Sequence, residues 1–498
     1  MPVIFSKKQL GKNRLDGFYE TPIKTVELMV NKILPFYKKG MKICDPCVGD
    51  GIFLKYLLDS GVSKNDLYGY DLDLEKIKKL KYDFPNLKLH DSTKKFENNF
   101  DIIIGNPPYA GDESYFIREN RDRLNKDYKR IKPKNLFSII SFNSINHLRD
   151  DGLFIKILSD AFLTNIYYKE FRNFLLEELD IFEVILTPRN LFKHINADVG
   201  TCILFGKKRK TNEIVFNEWN NNKNNENKIK LVDRLKDEGE YDNYSKKTEI
   251  IKQNEIFKYP NNQIIIGAPK RLRDIYLNAN IRLKDIAEGG TGISTGNDKK
   301  FLKIFNEVNS SENWVPYYKN AARQKYFYEP KFFIEKNYKT YVKKYSNYLI
   351  RNEKFFFKEG ISCSSVGIRF SASYMPKNCL FGVNANFFFK DKDDLFYTLA
   401  LMNTKLCWYF ARRILIRTNN ISSNYLKLMP IIFPKNDSDK KRISNKTEEI
   451  VKKLQVNLNF DTNEFEEEMD NVFFNIYEIS QNDKNKVIKF TNNFYDDM

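Results

Sequence analysis

Short apolar runs alternate with helical patterns between residues 41 and 208. The apolar runs predict strands at residues 41–45, 67–72, 87–90, 100–104, 153–158, 181–186 and 202–205. Apolar residues that recur every three or four positions predict helices at residues 52–60, 74–82, 136–148 and 168–179. Strands with near-continuous apolar runs that alternate with helices are typical of parallel sheets covered on both faces. The pattern therefore predicts an α/β domain with a mostly parallel, seven-stranded sheet.

The pattern changes after this region. Residues 217–228 are polar and rich in asparagine, which predicts a surface loop or a hairpin tip. After about residue 245 aromatic residues multiply, and Gly, Ser and Asn interrupt short runs, which predicts a mixed domain that contains strands. The tail from about Lys440 has helical periodicity. The sequence thus divides into residues 1–240, 245–430 and 431–498.

Composition excludes several classes of protein. The chain has 498 residues, 42% of them hydrophobic, and a mean hydropathy of −0.56, values typical of a globular protein. It shows neither a signal-peptide pattern nor a run of about 18 apolar residues, so we expect no membrane partner. Six cysteines are too few for a secreted disulfide framework, which favours a reducing cytoplasm. Three histidines leave little room for a multi-histidine metal centre.

The excess positive charge lies in one block. The chain has a formal net charge of +18, and residues 241–430 alone carry 32 basic and 16 acidic side chains. The residues before this block contribute +6, and those after it contribute −4. Because counterion release from phosphates drives association with basic surfaces, the block has the charge of a polyanion-binding domain. A basic surface that is simply well solvated is the alternative.

A turn with two glycines follows the first predicted strand, in residues 42–54 (KICDPCVGDGIFL). Gly49 allows the backbone to approach a ligand closely. Asp45, at the end of the strand, would repel a pyrophosphate and suits a cationic or amino-bearing ligand. The turn also lacks the Gly-Lys-Ser/Thr of phosphate-binding loops. Cys44 and Cys47 form a C-x-x-C pair that would fit redox or zinc chemistry, but no second pair accompanies it.

Acidic residues also end the second and third predicted strands. Asp71 lies about 20 residues after the glycine turn, where an acid can accept hydrogen bonds from both hydroxyls of a ribose. We expect Asp73 to cap the following helix instead. Asp91 ends the third strand at the same edge of the sheet. Since open α/β sheets bind ligands at their carboxyl edge, the three strand-end acids predict a cofactor cleft.

The most specific signal is in residues 100–109 (FDIIIGNPPY), a predicted buried strand that runs into Asn-Pro-Pro-Tyr. The two prolines fix the backbone and remove two N–H donors, so that carbonyl groups face the cleft. The amide oxygen of Asn106 and the carbonyl of Pro107 can accept hydrogen bonds from a planar amino group. Such bonds make its nitrogen nucleophilic without prior deprotonation. Tyr109 offers an aromatic face on which a planar base can stack.

In this order, DPCVGDGIFL, GYDLD and NPPY resemble the S-adenosylmethionine site and catalytic motif of amino-methyltransferases. Residues 17–22 (GFYETP) resemble the N-terminal cofactor motif of the gamma class of DNA adenine-N6 methyltransferases, the TaqI-type enzymes. Residues 289–297 and 401–405 resemble, more loosely, segments of their target-recognition domain. The resemblance implies a class I Rossmann-like methyltransferase domain in residues 1–240. It further implies a mixed α+β DNA target-recognition domain in residues 245–430 and a helical cap in residues 431–498.

The resemblance also assigns roles to single residues. It makes Asn106, Pro107 and Tyr109 catalytic. It makes cofactor contacts of Tyr19, Thr21, Asp45, Cys47, Gly49, Asp71, Asp91 and Pro108. Within that set it places Asp45 near the methionine moiety, Asp71 on the ribose hydroxyls and Asp91 on the cofactor's adenine amine. Phe192, after the sixth strand, would stack on the flipped target base together with Tyr109, although a buried core phenylalanine in that loop would look the same in sequence.

The resemblance implies transfer of a methyl group from S-adenosylmethionine to N6 of an adenine flipped out of double-stranded DNA. The product would be S-adenosyl-L-homocysteine, and no metal is required. We expect a cytoplasmic monomer, encoded by a bacterium or phage and nucleoid-associated when bound to DNA. It would be solitary or paired with a separate cognate restriction endonuclease. The alternative is an RNA or protein-glutamine amino-methyltransferase with the same motif. A non-catalytic DNA-binding protein on this scaffold would be expected to have lost Asn106 or the acidic pair.

Overall fold

A computed structural model gives the structure of residues 19–192, 200–210, 227–308, 311–319, 324–364, 369–418 and 421–492. The chain divides into two compact units, the first ending at Gly267 and the second beginning at Ala268. Residues 17 and 18 of the predicted N-terminal motif lie outside the described residues, and so do residues 217–226 of the predicted asparagine-rich loop.

The first unit contains one large mixed β-sheet. Its strands are β1 (Ile43–Asp45), β2 (Leu67–Asp71), β3 (Asn86–Leu89), β4 (Phe100–Gly105), β5 (Leu148–Ser159), β6 (Leu179–Leu186), β7 (Thr201–Lys208), β8 (Lys228–Val232) and β9 (Thr248–Lys252). In the described part of the chain the order is β3-β2-β1-β4-β5-β7-β6-β8-β9. All neighbours from β3 to β5 are parallel, and β7 is antiparallel to both β5 and β6. The predicted α/β class is confirmed, and the strand order reverses between β1 and β4, where doubly wound sheets bind their ligands.

The predicted strand number of seven is wrong, because the described residues form a sheet of nine. β8 pairs with β6, and β9 pairs with β8, so these two strands extend the sheet beyond β6. In β8 the buried Ile229 and Leu231 alternate with the exposed Lys228 and Lys230. Two of its five residues are charged, so the strand lacks the continuous apolar run that identifies the inner strands.

Among the described residues, one helix of the first unit precedes β1, and the others lie in the connections between successive strands. They are α1 (Ile23–Ile33), α2 (Ile52–Asp59), α3 (Leu74–Leu80), α4 (Tyr115–Glu119), α5 (Arg121–Asp127), α6 (Leu136–Asn146) and α7 (Lys169–Glu178). The four helices that the sequence predicts, which correspond to α2, α3, α6 and α7, all begin and end within two residues of their predicted bounds. Asp73 caps α3, because its side chain accepts hydrogen bonds from the backbone N–H groups of Glu75 and Lys76.

The second unit contains two smaller sheets. Its strands are β10 (Ala287–Gly290), β11 (Leu302–Ile304), β12 (Trp314–Tyr318), β13 (Tyr326–Phe327), β14 (Phe332–Glu335), β15 (Gly360–Cys363), β16 (Ala372–Met375), β17 (Leu380–Phe381) and β18 (Ala385–Phe389). Within the described ranges, one sheet has the order β10-β18-β15-β16-β13 and the other β11-β14-β12-β17. Aromatic side chains, among them Tyr317, Tyr318 and Phe381, fill much of the core around the second sheet.

The helices of the second unit concentrate towards its end. They are α8 (Lys270–Leu277), α9 (Leu283–Ile286), α10 (Asp298–Phe301), α11 (Lys392–Met402), α12 (Lys405–Tyr409), α13 (Ser423–Leu426), α14 (Asp437–Val456), α15 (Asn463–Ile476) and α16 (Gln481–Asn492). In this tail α14 packs against α11, and α16 packs against α12. No helix in the described part of either unit has the length and apolar character needed to cross a bilayer.

Candidate active site

The structure brings the three strand-end acids to one edge of the large sheet. Asp45 is the last residue of β1, Asp71 is the last residue of β2, and Asp91 follows the end of β3 by two residues. These strands are direct neighbours and parallel, so their carboxyl ends lie side by side. The acids therefore lie beside the position between β1 and β4 at which the strand order reverses, as the ligand site of an open α/β sheet requires.

Backbone N–H groups of the glycine turn hold two of these carboxylates. Gly49 N donates to Asp71 Oδ2 over 2.8 Å, and Asp73 N donates to Asp71 Oδ1 over 2.8 Å. Cys47 N donates to Asp45 Oδ1 over 3.0 Å. Gly49 has a φ of +56°, a left-handed conformation that favours glycine. A carboxylate has about four acceptor positions, so both acids keep lone pairs for a ligand.

Burial dominates the electrostatics of these acids. Asp45 is 1% exposed, and burial raises its pKa, while the N–H of Cys47 and the charge of Lys156 lower it. Burial also raises the pKa of Asp71, against the backbone N–H groups that lower it. A positively charged or hydroxyl-bearing ligand would stabilise the ionised forms of both acids. This edge of the sheet therefore favours a ligand that carries both a positive charge and hydroxyl groups.

Asp91 is held in a different way. Its Oδ1 accepts from the backbone N–H of Thr93 over 2.9 Å and from the Thr93 hydroxyl over 2.6 Å. Its Oδ2 lies 3.6 Å from a guanidinium nitrogen of Arg123. These partners fix the direction of the carboxylate and leave acceptor positions on Oδ2.

The Asn-Pro-Pro-Tyr segment follows the end of β4 directly. Asn106 Nδ2 donates to the Tyr19 carbonyl over 3.0 Å and to Thr21 Oγ1 over 3.1 Å. Because the Tyr19 carbonyl can only accept, the Asn106 amide nitrogen must face Tyr19, and the amide oxygen faces away from it. The Tyr109 hydroxyl donates to this oxygen over 2.7 Å. Pro107 and Pro108 are buried. The N-terminal segment and the segment after β4 thus meet at the Asn106 side chain.

Three aromatic rings lie together beside Asn106. The ring of Tyr19 stacks on Tyr109, with centroids 5.7 Å apart, and on Phe192, with centroids 5.3 Å apart. The rings of Tyr109 and Phe192 are 6.3 Å apart and inclined by 54°. Phe192 is fully buried, and Tyr109 is 8% exposed. The structure therefore brings both predicted stacking residues together, and Tyr19 covers a face of each in the conformation described.

The C-x-x-C pair lies in the turn that carries Asp45. The Cys44 side chain is buried in the core, and Cys47 is half-buried. Burial raises the pKa of both thiols well above its usual value, and the neighbouring Asp45 carboxylate raises it further. Neutral thiols are poor nucleophiles and poor metal ligands, which disfavours the redox and zinc interpretations of this pair.

A cleft of about 520 Å³ lies at the candidate site, on the side of Thr21 and Leu191. It is lined by Glu20, Thr21, Pro22, Ile23, Ile52, Pro188, Asn190, Leu191, Asp237 and Glu238. Thr21 is a partner of Asn106, and Leu191 directly precedes Phe192, so the cleft adjoins the aromatic cluster. Its three acidic residues favour a cationic ligand over an anionic one at this wall.

Two residues of this site, Gly105 and Lys156, are not identified by the sequence analysis. Gly105, which directly precedes Asn106, has a φ of +146°, and a Cβ at this position would lie 2.5 Å from Asp45 Oδ1. Lys156 on β5 is fully buried, and its ammonium group donates to Ser144 Oγ over 2.7 Å. A single lysine in an apolar strand is a visible signal, but its burial depends on residues that are distant in sequence.

Part of the chain is similar to the methylases of restriction–modification systems. Residues 54–192 match the family model described as Eco57I restriction-modification methylase. The Type II methyltransferase M.VspI of Vibrio sp. (strain 343) is 28% identical over 177 residues, which cover 32% of this chain and 41% of that protein. The adenine-specific methyltransferase PglX of Lacticaseibacillus casei (strain Zhang) is 24% identical over 368 residues, which cover 68% of this chain and 28% of that protein. The chain thus spans less than half of the length of these curated relatives.

A solved structure resembles the fold over most of the chain. The cryoEM structure of the DrdV–DNA complex superposes with a TM-score of 0.56 at 12% sequence identity, covering 89% of this chain and 57% of that chain. At this identity the likeness concerns the fold. The family model and the curated relatives confirm the resemblance to the adenine methyltransferases of restriction–modification systems.

Proposed function

We propose that this chain is a DNA methyltransferase that transfers a methyl group from S-adenosylmethionine to N6 of adenine in duplex DNA. One observation carries the proposal. The Asn-Pro-Pro-Tyr segment leaves β4 at the reversal point of the sheet, and through Gly105 it adjoins the buried carboxylate of Asp45. An acceptor for an amino group and a site for a cationic methyl donor are therefore contiguous.

The strand-end acids fit the cofactor by their chemistry. Asp71 keeps free lone pairs on both oxygens for the two ribose hydroxyls. Asp45 supplies a negative charge for the ammonium group of the methionine moiety, and Asp91 can accept from the adenine amine. S-adenosylmethionine, when bound, supplies a methyl group on a positively charged sulfur. The task of the chain is to orient that methyl group and to exclude water around it.

The Asn106 side chain is placed to hold the target amino group. Tyr19 and Thr21 fix the amide nitrogen, so the amide oxygen points to the position now taken by the Tyr109 hydroxyl. An adenine amine would replace that hydroxyl and donate to Asn106 Oδ1 and to the Pro107 carbonyl. These hydrogen bonds matter most as the nitrogen becomes tetrahedral, so they lower the barrier more than they strengthen binding.

The adenine must leave the helix to reach Asn106. Extrusion costs a few kcal/mol, and stacking on aromatic side chains offsets about 1–3 kcal/mol per base. Tyr109 and Phe192 are 6.3 Å apart and inclined, whereas a base between two parallel rings needs about 7 Å. Binding of the base therefore requires these two rings to separate and Tyr19 to withdraw from the faces that it covers.

The second unit carries a surface suited to DNA phosphates. Residues 331–358 contain eight basic and two acidic side chains. Among the described residues, six of the eight have no acidic partner, and all six are exposed: Lys331, Lys336, Lys343, Lys344, Arg351 and Lys358. Tyr338 and Tyr348 are buried and anchor this segment in the aromatic core. Basic side chains that are exposed and unpaired are those that release counterions when they contact phosphates.

A transfer assay with three acceptors tests the proposed function. The purified chain is incubated with tritiated S-adenosylmethionine and with duplex DNA, single-stranded RNA or a glutamine-containing peptide. We expect label in duplex DNA and background counts in the other two. Label in the RNA or the peptide instead would assign the same motif to a different acceptor and overturn the proposal. A restriction–modification role and a solitary role both predict the same result here.

A further inference from the structure

A fully buried lysine lies beneath the proposed cofactor site. Lys156 belongs to β5 and is 0% exposed. Its ammonium group donates to Ser144 Oγ, and the Ser144 hydroxyl in turn donates to the Ile140 carbonyl on α6. Within the described ranges Lys156 has no hydrogen-bond partner besides Ser144 and no carboxylate within ion-pair distance. A buried charge without a paired carboxylate is costly, so it calls for a physical explanation.

Strand pairing relates the position of this lysine to that of Asp45 through Gly105. Lys156 is in register with Gly105 across the parallel pair of β4 and β5. Residues in register on neighbouring strands direct their side chains to the same face of a sheet. A Cβ on Gly105 would lie 2.5 Å from Asp45 Oδ1, so the side-chain direction of Gly105 leads to the Asp45 carboxylate. The Asp45 carboxylate therefore occupies the space that a side chain at position 105 would fill, next to Lys156 on the neighbouring strand.

Few ionisable groups lie around Lys156 and the Asp45 carboxylate, and each can be named. Burial lowers the pKa of Lys156, and the fields of Cys47, Asp45 and Cys44 raise it. Burial raises the pKa of Asp45, Lys156 lowers it, and Asp71 on β2 raises it. Lys156 thus lowers the cost of keeping a negative charge on Asp45.

We propose that Lys156 is a positioning residue for the cofactor, which acts from the strand beside Gly105 by keeping the Asp45 carboxylate ionised. The inference rests on the proposed function, in which Asp45 attracts the ammonium group of S-adenosylmethionine. Asp45 must be ionised to do this, so affinity is complete above its pKa and is lost as the pH falls through that value. Without the charge of Lys156, the loss should begin at higher pH.

The size of the effect follows from the strand spacing. β1 and β5 are two strands apart, about 10 Å, and opposite charges at that distance in a protein interior shift a pKa by about one unit. Removal of the Lys156 charge should therefore raise the midpoint of the pH profile by about one unit and weaken cofactor binding about tenfold below it.

Calorimetric titration of the full chain between about pH 5.5 and pH 8.5 tests this inference. The probes are S-adenosylmethionine and 5′-methylthioadenosine, a neutral thioether that has the ribose and adenine but lacks the ammonium group, the carboxylate group and the positive charge on sulfur. Asp71 and Asp91 face groups that both probes share, so the ratio of the two affinities reports on the methionine moiety and the charged sulfur, and Asp45→Asn identifies the share of Asp45. We expect this ratio to fall at low pH in the wild type and to be flat in Asp45→Asn.

Two neutral variants separate charge from packing. Lys156→Met removes the charge and the hydrogen bond, whereas Lys156→Gln removes the charge and can still donate to Ser144. Replacement of an uncompensated buried charge is often neutral or stabilising, so both variants should fold, and retained 5′-methylthioadenosine binding shows it for each. We expect the midpoint to rise in both. An unchanged midpoint in both, or a change in Lys156→Met alone, would overturn the inference. Failure of the wild type to bind S-adenosylmethionine at any pH would instead contradict the proposed function.

Discussion

Replacement of Asn106 by alanine distinguishes a chemical role of this amide from a structural one. The side chain makes three hydrogen bonds, two through its nitrogen and one through its oxygen. Because Asn106 is only half-buried, water can replace part of these, and we expect the free energy of unfolding to fall by about 1–2 kcal/mol. The rate of methyl transfer should fall by about 10²–10³-fold, equivalent to about 2.7–4 kcal/mol, the usual effect of removing one preorganised group from a reacting centre.

Thr21→Val is the matched control for this variant. Thr21 is 3% exposed, and its hydroxyl accepts from the same amide, so the variant loses one of the three bonds and keeps the Asn106 oxygen. We expect a loss of about 1 kcal/mol in unfolding free energy and a change in rate below about tenfold. Single-turnover rates with radiolabelled cofactor, at saturating cofactor and DNA, remove differences in affinity. Equal rate losses in the two variants, or a nearly wild-type rate in Asn106→Ala, would refute a role of the amide oxygen in the reaction.

Three further variants test the cofactor site, the aromatic cluster of Tyr19, Tyr109 and Phe192, and the basic segment, which comprises residues 331–358. Asp71→Ala should weaken S-adenosylmethionine binding by about 1–3 kcal/mol in calorimetry, because in the proposed site the Asp71 carboxylate accepts hydrogen bonds from the ribose hydroxyls. Phe192→Leu, which keeps an apolar side chain, should alter the fluorescence of 2-aminopurine at the target position and slow methylation, less so for a mismatched target. The double variant Lys343→Ala/Lys344→Ala should reduce the slope of log affinity against log salt by about 1–2, since each phosphate contact contributes about 0.9.

Each of these variants has a result that contradicts its premise. Unchanged cofactor affinity in Asp71→Ala would contradict the proposed hydrogen bonds between Asp71, at the end of β2, and the ribose hydroxyls. Unchanged fluorescence and rate in Phe192→Leu would make this phenylalanine a core residue only. For the basic segment, Lys452→Ala/Lys453→Ala is the control, because both lysines are exposed on α14 and pair with glutamates. An equal change of slope in the control would mean that DNA does not single out the basic segment.

Much of the fold can be predicted from the sequence because its signals are local. The apolar runs that end at Asp45 and Asp71 identify β1 and β2, and the helix bounds follow from periodicity and caps such as Asp73. The strands β8 and β9 escape prediction because half of their residues are polar, and because the pairing of β8 with β6 and of β9 with β8 is a tertiary property.

The contents of the site are predictable only in part, for the same physical reason. The motifs mark Asn106 and Tyr109, and the structure places them together with Phe192. However, the contact of Tyr19 with both rings joins segments that are far apart in the chain. The burial of Lys156 likewise depends on Gly105 and on Ser144, each on a different element. Contacts of this kind are set by packing, which no local pattern contains.

The identity of the methylated atom tests the central claim most directly. Duplex DNA is incubated with the purified chain and S-adenosylmethionine carrying a deuterated methyl group, then digested to nucleosides and analysed by mass spectrometry. The proposed function predicts deuterated N6-methyldeoxyadenosine, formed about 10²–10³-fold more slowly when Asn106→Ala replaces the wild type. Deuterium in a cytosine nucleoside, or none in DNA while the chain binds the cofactor, would contradict it.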